Sequence, residues 1–235
     1  MASGASSPPL VDFSAERATM VDRQIRTFDV TDQVLLARIL EVPRELFLPP
    51  DLAAIAYCDK ALVVGGEAGE RRSLLPPMIL ARLLQAGAVQ PGDKALDVGG
   101  GGGYGAAILA GLAESVVCVE SSTELTNTAK AGFEALALRN AQAATGPLAD
   151  AAGHPGPFDV ILVNGAVECA LEPLLARLAP GGRLLAILRD ASDPTGKAAR
   201  AVQWRRTGGE VGVRPLFNAS APVLREFARK QEFAF

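Results

Sequence analysis

The chain has 235 residues, 49% of them hydrophobic and 21% charged, with a formal net charge of −3 at pH 7. That length suits one α/β domain with a small extension, and the balance excludes a disordered chain and gives no electrostatic case for nucleic acid as a main partner. No apolar run is long enough to span a membrane, and residues 1–9 carry neither a basic nor an apolar leader, so the expectation is a soluble, cytoplasmic protein without a membrane partner.

Residues 1–9 are small, polar and proline-bearing and are expected to be a frayed tail, within a disordered stretch over 1–14. Apolar spacing predicts helices over 15–26 and 31–40, the second capped by Thr31 and Asp32. Pro43, Pro49 and Pro50 break that pattern, so 42–50 reads as a packed, extended connection. A short strand at 61–64 ends at Gly65-Gly66, and the charged loop 67–77 leads into a helix over 78–85. Strands and helices then alternate: a strand entering the glycines at 99, a helix over 106–113, a strand over 116–119, a helix over 124–137, a strand over 158–163, a helix over 171–178 and a strand over 182–188. Such alternation implies a mostly parallel sheet covered on both faces. Residues 202–206 and 211–217 are expected to pair as a hairpin across Thr207-Gly208-Gly209, an antiparallel C-terminal edge on which Trp204-Arg205-Arg206 is an amphipathic strand rather than a nucleic-acid contact. Cys58, Cys118 and Cys169 lie in or beside apolar runs with no C-x-x-C and are expected to be buried free thiols. The single histidine, His154, sits in a Gly/Pro loop, and no metal site is expected.

The chain is organised around Leu96-Asp97-Val98, five consecutive glycines from Gly99 to Gly103, then Tyr104 and Gly105. Glycines in such number are useful where a ligand lies against bare backbone. The run satisfies G-x-G-x-x-G at Gly100, Gly102 and Gly105, with Glu120 as the acid that a dinucleotide fold requires. It equally satisfies D-x-G-x-G-x-G at Asp97, Gly99, Gly101 and Gly103. A carboxylate at the mouth of the turn repels a pyrophosphate and favours the sulfonium of S-adenosylmethionine (SAM). SAM is therefore the leading ligand, ahead of a nicotinamide or flavin dinucleotide and of a purely structural turn. Glu120 suits the ribose of either cofactor.

Four N-terminal segments carry a resemblance: Met20-Val21-Asp22-Arg23-Gln24-Ile25, Asp32-x-Val34-Leu35, Val42-Pro43-Arg44-Glu45-x-Phe47-x-Pro49 and Ala56-Tyr57-x-Asp59-x-x-Leu62. Together with Leu96 to Ala107, Glu120, Pro157 to Ile161 and Leu178-x-Pro180-Gly181-Gly182-Arg183-Leu184, they resemble the protein-L-isoaspartate O-methyltransferases, in a divergent bacterial branch. The resemblance implies a Rossmann-like SAM-dependent methyltransferase fold over 78–235, preceded by a helical extension and substrate-loop region over 15–77. It also implies methyl transfer to the carboxylate of isoaspartyl residues in damaged proteins or peptides. By the same carry-over, Asp97, Gly99, Gly100, Gly101, Gly103, Tyr104, Glu120, Ser121 and Asn164 would hold the cofactor, with Gly146-Pro147-Leu148 near its adenine.

Two departures stand out. The family's Thr-Ile-Ser-Gln-Pro loop aligns its proline with Pro77, which puts Ser73 at the threonine, Leu74 at the isoleucine and Leu75 at the active-site serine. Its Gly-Asp-Gly near the adenine is here Gly146-Pro147-Leu148. Ser73 and Asp59 are the candidate catalytic groups, and Arg72, Leu74 and Leu75 the candidate substrate loop. Two readings compete with an active carboxyl methyltransferase: a cofactor-binding paralogue with lost or changed acceptor specificity, and a dinucleotide-dependent oxidoreductase. The sequence does not set the oligomeric state.

Overall fold

The computed structural model describes residues 11–65, 71–190, 193 and 198–229. The expected tail over 1–9 and most of the loop before Arg71 lie outside them. Helix α1 (Phe13–Met20) starts two residues ahead of the expected boundary, because Asp12 caps it, accepting from the N–H groups of Ser14 at 3.0 Å and Ala15 at 3.1 Å. The same helical path continues through a π turn (Val21–Ile25) and a 3-10 turn (Arg26–Phe28) to Asp29, which stops it at φ 63°. Helix α2 (Gln33–Glu41) is capped by Asp32, as its sequence predicts. Residues 42–50 are not extended throughout: two 3-10 segments, Arg44–Phe47 and Pro50–Ile55, follow prolines whose fixed φ suits a first helical turn.

Strands β1 (Leu62–Gly65) and β2 (Arg72–Leu74) pair antiparallel, so part of the predicted loop is a strand. Helix α3 (Pro77–Gly87) follows, with Pro77 in its first turn. The main sheet has the order β5-β4-β3-β6-β7-β8-β9. Its central members are β3 (Lys94–Val98), β4 (Ser115–Glu120), β6 (Phe158–Val167) and β7 (Leu178–Arg189), joined in parallel. The predicted hairpin is β8 (Ala199–Thr207) with β9 (Glu210–Asn218), antiparallel on β7. Strand β5 (Ala141–Thr145), parallel to β4 at the other edge, has no counterpart in the sequence reading. The chain reverses its direction of travel across the sheet at β3, and ligands in open α/β sheets bind outside the carboxyl ends of strands at such a point.

Helices α3, α4 (Tyr104–Ala110) and α5 (Thr123–Ala135) cover one face, where Leu83, Ile108 and Phe133 share a buried cluster with Met20, Ile25, Leu36 and Phe47 of the N-terminal segment. That segment thus completes the core and is not an appendage. The opposite face carries the short α6 (Glu172–Ala176) and the C-terminal 3-10 turn Arg225–Phe227 over Phe158, Ile161 and Trp204. Trp204, 7% exposed, is buried while Arg205 is exposed, which fits the amphipathic expectation, but β8 lies between β7 and β9 and the sheet edge is β9. Cys118 is buried and Cys58 half-buried, but Cys169 is exposed, because it follows the end of β6 and leaves the core. No helix among the described residues is long and apolar enough to cross a membrane.

Gly132, inside α5, shows how the two parts interlock. A Cβ there would sit 2.4 Å from Phe47 Cε1 and 2.8 Å from Cζ. Glycine in a helix interior costs about 1 kcal/mol against alanine, so its presence answers to the ring. Gly132→Ala is therefore expected to destabilise the protein by about 1–3 kcal/mol despite the better helix former. The urea midpoint checks this; an unchanged or raised midpoint would show that Phe47 has room to move.

Candidate cofactor site

Strand β3, residues 99–103 and α4 build the unit that the glycine run predicts. Gly99, Gly101, Gly102 and Gly103 have φ of 65°, 71°, 107° and 93°, a region where any side chain is strained. Space is equally restrictive, since a Cβ on Gly101 would lie 2.9 Å from Val64 Cγ2 and one on Gly103 2.7 Å from the Ala129 Cβ.

Asp97 is turned into the core beneath this turn. Its fully buried carboxylate accepts from the Ala106 N–H at 3.1 Å through Oδ2 and from Asn164 Nδ2 at 2.5 Å through Oδ1. A Cβ on Gly100 or Gly105 would approach that carboxylate to 2.6 or 3.0 Å. The expectation that Asp97 selects the ligand's charge by direct contact is corrected: the side chain runs beneath the glycines and ties β3 to α4 and β6. Burial pushes its carboxyl up to about 7, opposed by the hydrogen bonds from Asn164 and Ala106.

Glu120, at the end of β4, is also fully buried. Oε1 accepts from the Gly102 N–H at 2.9 Å, whereas Oε2 is buried without a partner. Burial raises this carboxyl to about 7 as well, with the Gly102 N–H the largest opposing influence. A buried carboxylate oxygen without a donor is costly, and it fits a site that a hydroxyl donor completes.

The β1–β2 hairpin roofs the turn, for a Cβ on Gly101 would next meet the backbone of Ser73 at 3.3 Å. Arg72 on β2 is 2% exposed and donates from Nη2 to Ser121 Oγ at 2.8 Å. Ser73, Leu74 and Leu75 are buried beside it. The Leu75 carbonyl accepts from Nη2 of Arg44 at 2.8 Å, and Arg44 Nε donates to the Ala56 carbonyl at 2.8 Å. The Arg44 guanidinium lies 4.9 Å from the centre of the Tyr104 ring, which packs on its other neighbour Phe47 at 5.9 Å. The Tyr104 ring therefore faces the N-terminal segment.

A model of the protein-L-isoaspartate (D-aspartate) O-methyltransferase family matches residues 15–206. The chain belongs to this family. A protein-L-isoaspartate O-methyltransferase of Koribacter versatilis is 37% identical over 181 residues, covering 77% of this chain and 80% of the relative. One from Gloeobacter violaceus is 33% identical over 207 residues, covering 88% and 98%. Among solved structures, a protein-L-isoaspartate O-methyltransferase aligns with TM-score 0.74 at 24% identity over 88% of this chain and 65% of its own. Another, named as that enzyme from Plasmodium falciparum and solved with S-adenosyl-L-homocysteine, aligns with TM-score 0.73 at 18% identity over 89% and 98%. These two likenesses establish the fold. Membership of the methyltransferase family removes the dinucleotide-dependent oxidoreductase.

Within the family's pattern, the structure gathers Glu120, Ser121, Arg72 and the glycines into one group. Asp59 is exposed in the turn ahead of β1 and, among the described residues, shares no hydrogen bond or ion pair with that group or with Ser73. Pro147 is exposed, while Leu148 is buried and would lie 3.2 Å from a Cβ on Gly99. The N–H groups of Leu148 and Ala149 donate to the two carboxylate oxygens of Glu226 at 3.0 and 3.1 Å. Sequence reasoning missed Glu226, which brings a carboxylate to the segment whose family aspartate is replaced by Pro147. No local signal marks it, because the contact spans 78 residues.

Proposed function

We propose that this chain transfers the methyl group of SAM to a carboxylate, that of isoaspartyl residues in proteins or peptides. The observation that carries the reading is the unpartnered, buried Oε2 of Glu120 beside a turn too tight for any Cβ. That oxygen accepts from a ribose hydroxyl, the Gly99 to Gly103 backbone holds the methionine part, and Ser121 and Leu148 flank the adenine. When bound, SAM supplies a methyl on a sulfonium, whose departure leaves a neutral thioether.

The protein's own residues hold the acceptor in line and exclude water. A carboxylate acceptor is ionised at neutral pH and needs no base, so an exposed Asp59 and a leucine at position 75 are compatible with turnover. Leu75 puts a buried apolar side chain where the family has a serine and leaves Ser73, two residues upstream on β2, as the nearest hydroxyl in sequence. The test is transfer of label from radiolabelled SAM to an isoaspartyl peptide and to its aspartyl counterpart. Base-labile label on the first alone is the expected result. No transfer by a chain that still binds S-adenosylhomocysteine (SAH) would favour the cofactor-binding paralogue.

The pKa of Glu120 adds a further prediction. A ribose hydroxyl donates to the ionised carboxylate, so binding lowers a pKa that stands at about 7 and releases a proton wherever the free protein still holds it. SAH affinity is expected to rise with pH up to about 7 and level off above it. Calorimetry at pH 6 in buffers of different ionisation enthalpy should show this release, and Glu120→Gln should abolish it.

A further inference from the structure

Arg72 is 2% exposed, its Nη2 is committed to Ser121 Oγ at 2.8 Å, and its Nε is buried with no partner. Ser121 is the residue after Glu120, whose Oε2 is likewise buried and without a partner. Two buried groups of opposite charge, linked through adjacent residues, would be expected to close on one another. They make no ion pair, although the Arg72 charge lowers the Glu120 carboxyl against the rise that burial causes. The donor and the acceptor are thus both buried without a hydrogen-bond partner near the end of β4, under the roof made by β2.

A group that satisfies both must accept from a guanidinium N–H and donate to a carboxylate. A hydroxyl does this with one oxygen, and an anion does not, since it has nothing to give Oε2. Resting on the SAM reading above, we propose that Arg72 is a ribose-positioning residue: its Nε donates to the oxygen of a ribose hydroxyl that in turn donates a hydrogen bond to Glu120 Oε2, while Nη2 fixes Ser121 beside it. Arg72 then discriminates a ribonucleoside cofactor from its deoxy forms.

The test is calorimetric binding of four probes to the full chain: SAH, its 2′-deoxy and 3′-deoxy analogues, and 5′-methylthioadenosine, which keeps the ribose and lacks the amino-acid carboxylate. Arg72→Met is expected to weaken SAH and methylthioadenosine alike by about tenfold, and to weaken one of the deoxy analogues far less. Arg72→Lys, which retains the charge but has no Nε–H at that place, is expected to show the same pattern. An equal loss across all four probes would mean that Arg72 acts only by supporting Ser121 and the hairpin, and overturns the proposal. A loss confined to ligands with the amino-acid carboxylate overturns it in favour of that group. If the unaltered chain binds none of the probes, the SAM reading fails first and this assignment falls with it.

Discussion

Glu120→Ala is expected to raise the Kd for SAH by about a hundredfold or more while shifting the melting temperature by no more than about 4 °C. The two effects separate because the carboxylate serves the ligand more than the fold. Removing it takes away an ionised acceptor for ribose hydroxyls in a water-excluded place, and charge-assisted hydrogen bonds are about twice as strong as neutral ones. Removing it also leaves the Gly102 N–H without its acceptor. Against that stands the cost of keeping the carboxylate buried. Its folded pKa of about 7 lies above the ordinary value of 4.5, so its contribution to stability is greatest below the ordinary value and is lost as pH rises through 7. The alanine variant should accordingly gain on the wild type in thermal stability between pH 5 and about 8 while binding far less SAH. Affinity within about threefold of wild type would place the ribose elsewhere and remove the support for the proposed cofactor geometry.

The parts of this site written in local pattern were legible, and the parts decided by long-range packing were not. Glycines that must adopt positive φ beside an apolar strand announce a strand, turn and helix whatever surrounds them, and Glu120 follows at the end of the next apolar run. The direction of Asp97 is another matter. Alternation along β3 assigns its face, but the return path of α4, made possible by Gly105, decides that Ala106 and not a ligand receives the carboxylate. Strand β5 was invisible because Ala141-Gln142-Ala143-Ala144-Thr145 has little β-branched or aromatic character; pairing with β4 imposes the conformation. Residues 42–50 were misread for the converse reason, since prolines that break a long helix also start short 3-10 turns. The motif segments around Arg44 pointed to the family more strongly than the glycines did, yet what Arg44 does is a tertiary fact.

Arg44→Ala is expected to cost about 3–5 kcal/mol of stability, the largest single-residue effect in the N-terminal segment. Arg44 is fully buried, and among the described residues no carboxylate pairs with it. Its charge is held by the Ala56 and Leu75 carbonyls and the Tyr104 ring, while Nη1 is buried without a partner. Desolvation lowers its pKa, so the cation is itself an expense, and the loss on truncation comes from two buried carbonyls left without donors and from the space vacated over Tyr104. This predicts an order that charge conservation does not. Arg44→Met fills much of the space and removes the desolvated charge, whereas Arg44→Lys keeps a charge but lacks the planar fork that reaches both carbonyls. Methionine should therefore be the milder replacement, by about 1 kcal/mol or more in urea unfolding. Because the same guanidinium fixes Leu75, each variant should also loosen the roof over the glycine turn, seen as faster amide exchange across β2 than across β4. If lysine proved as stable as arginine, positive charge alone would suffice there, and the two carbonyl contacts could not be what binds the N-terminal segment to the site.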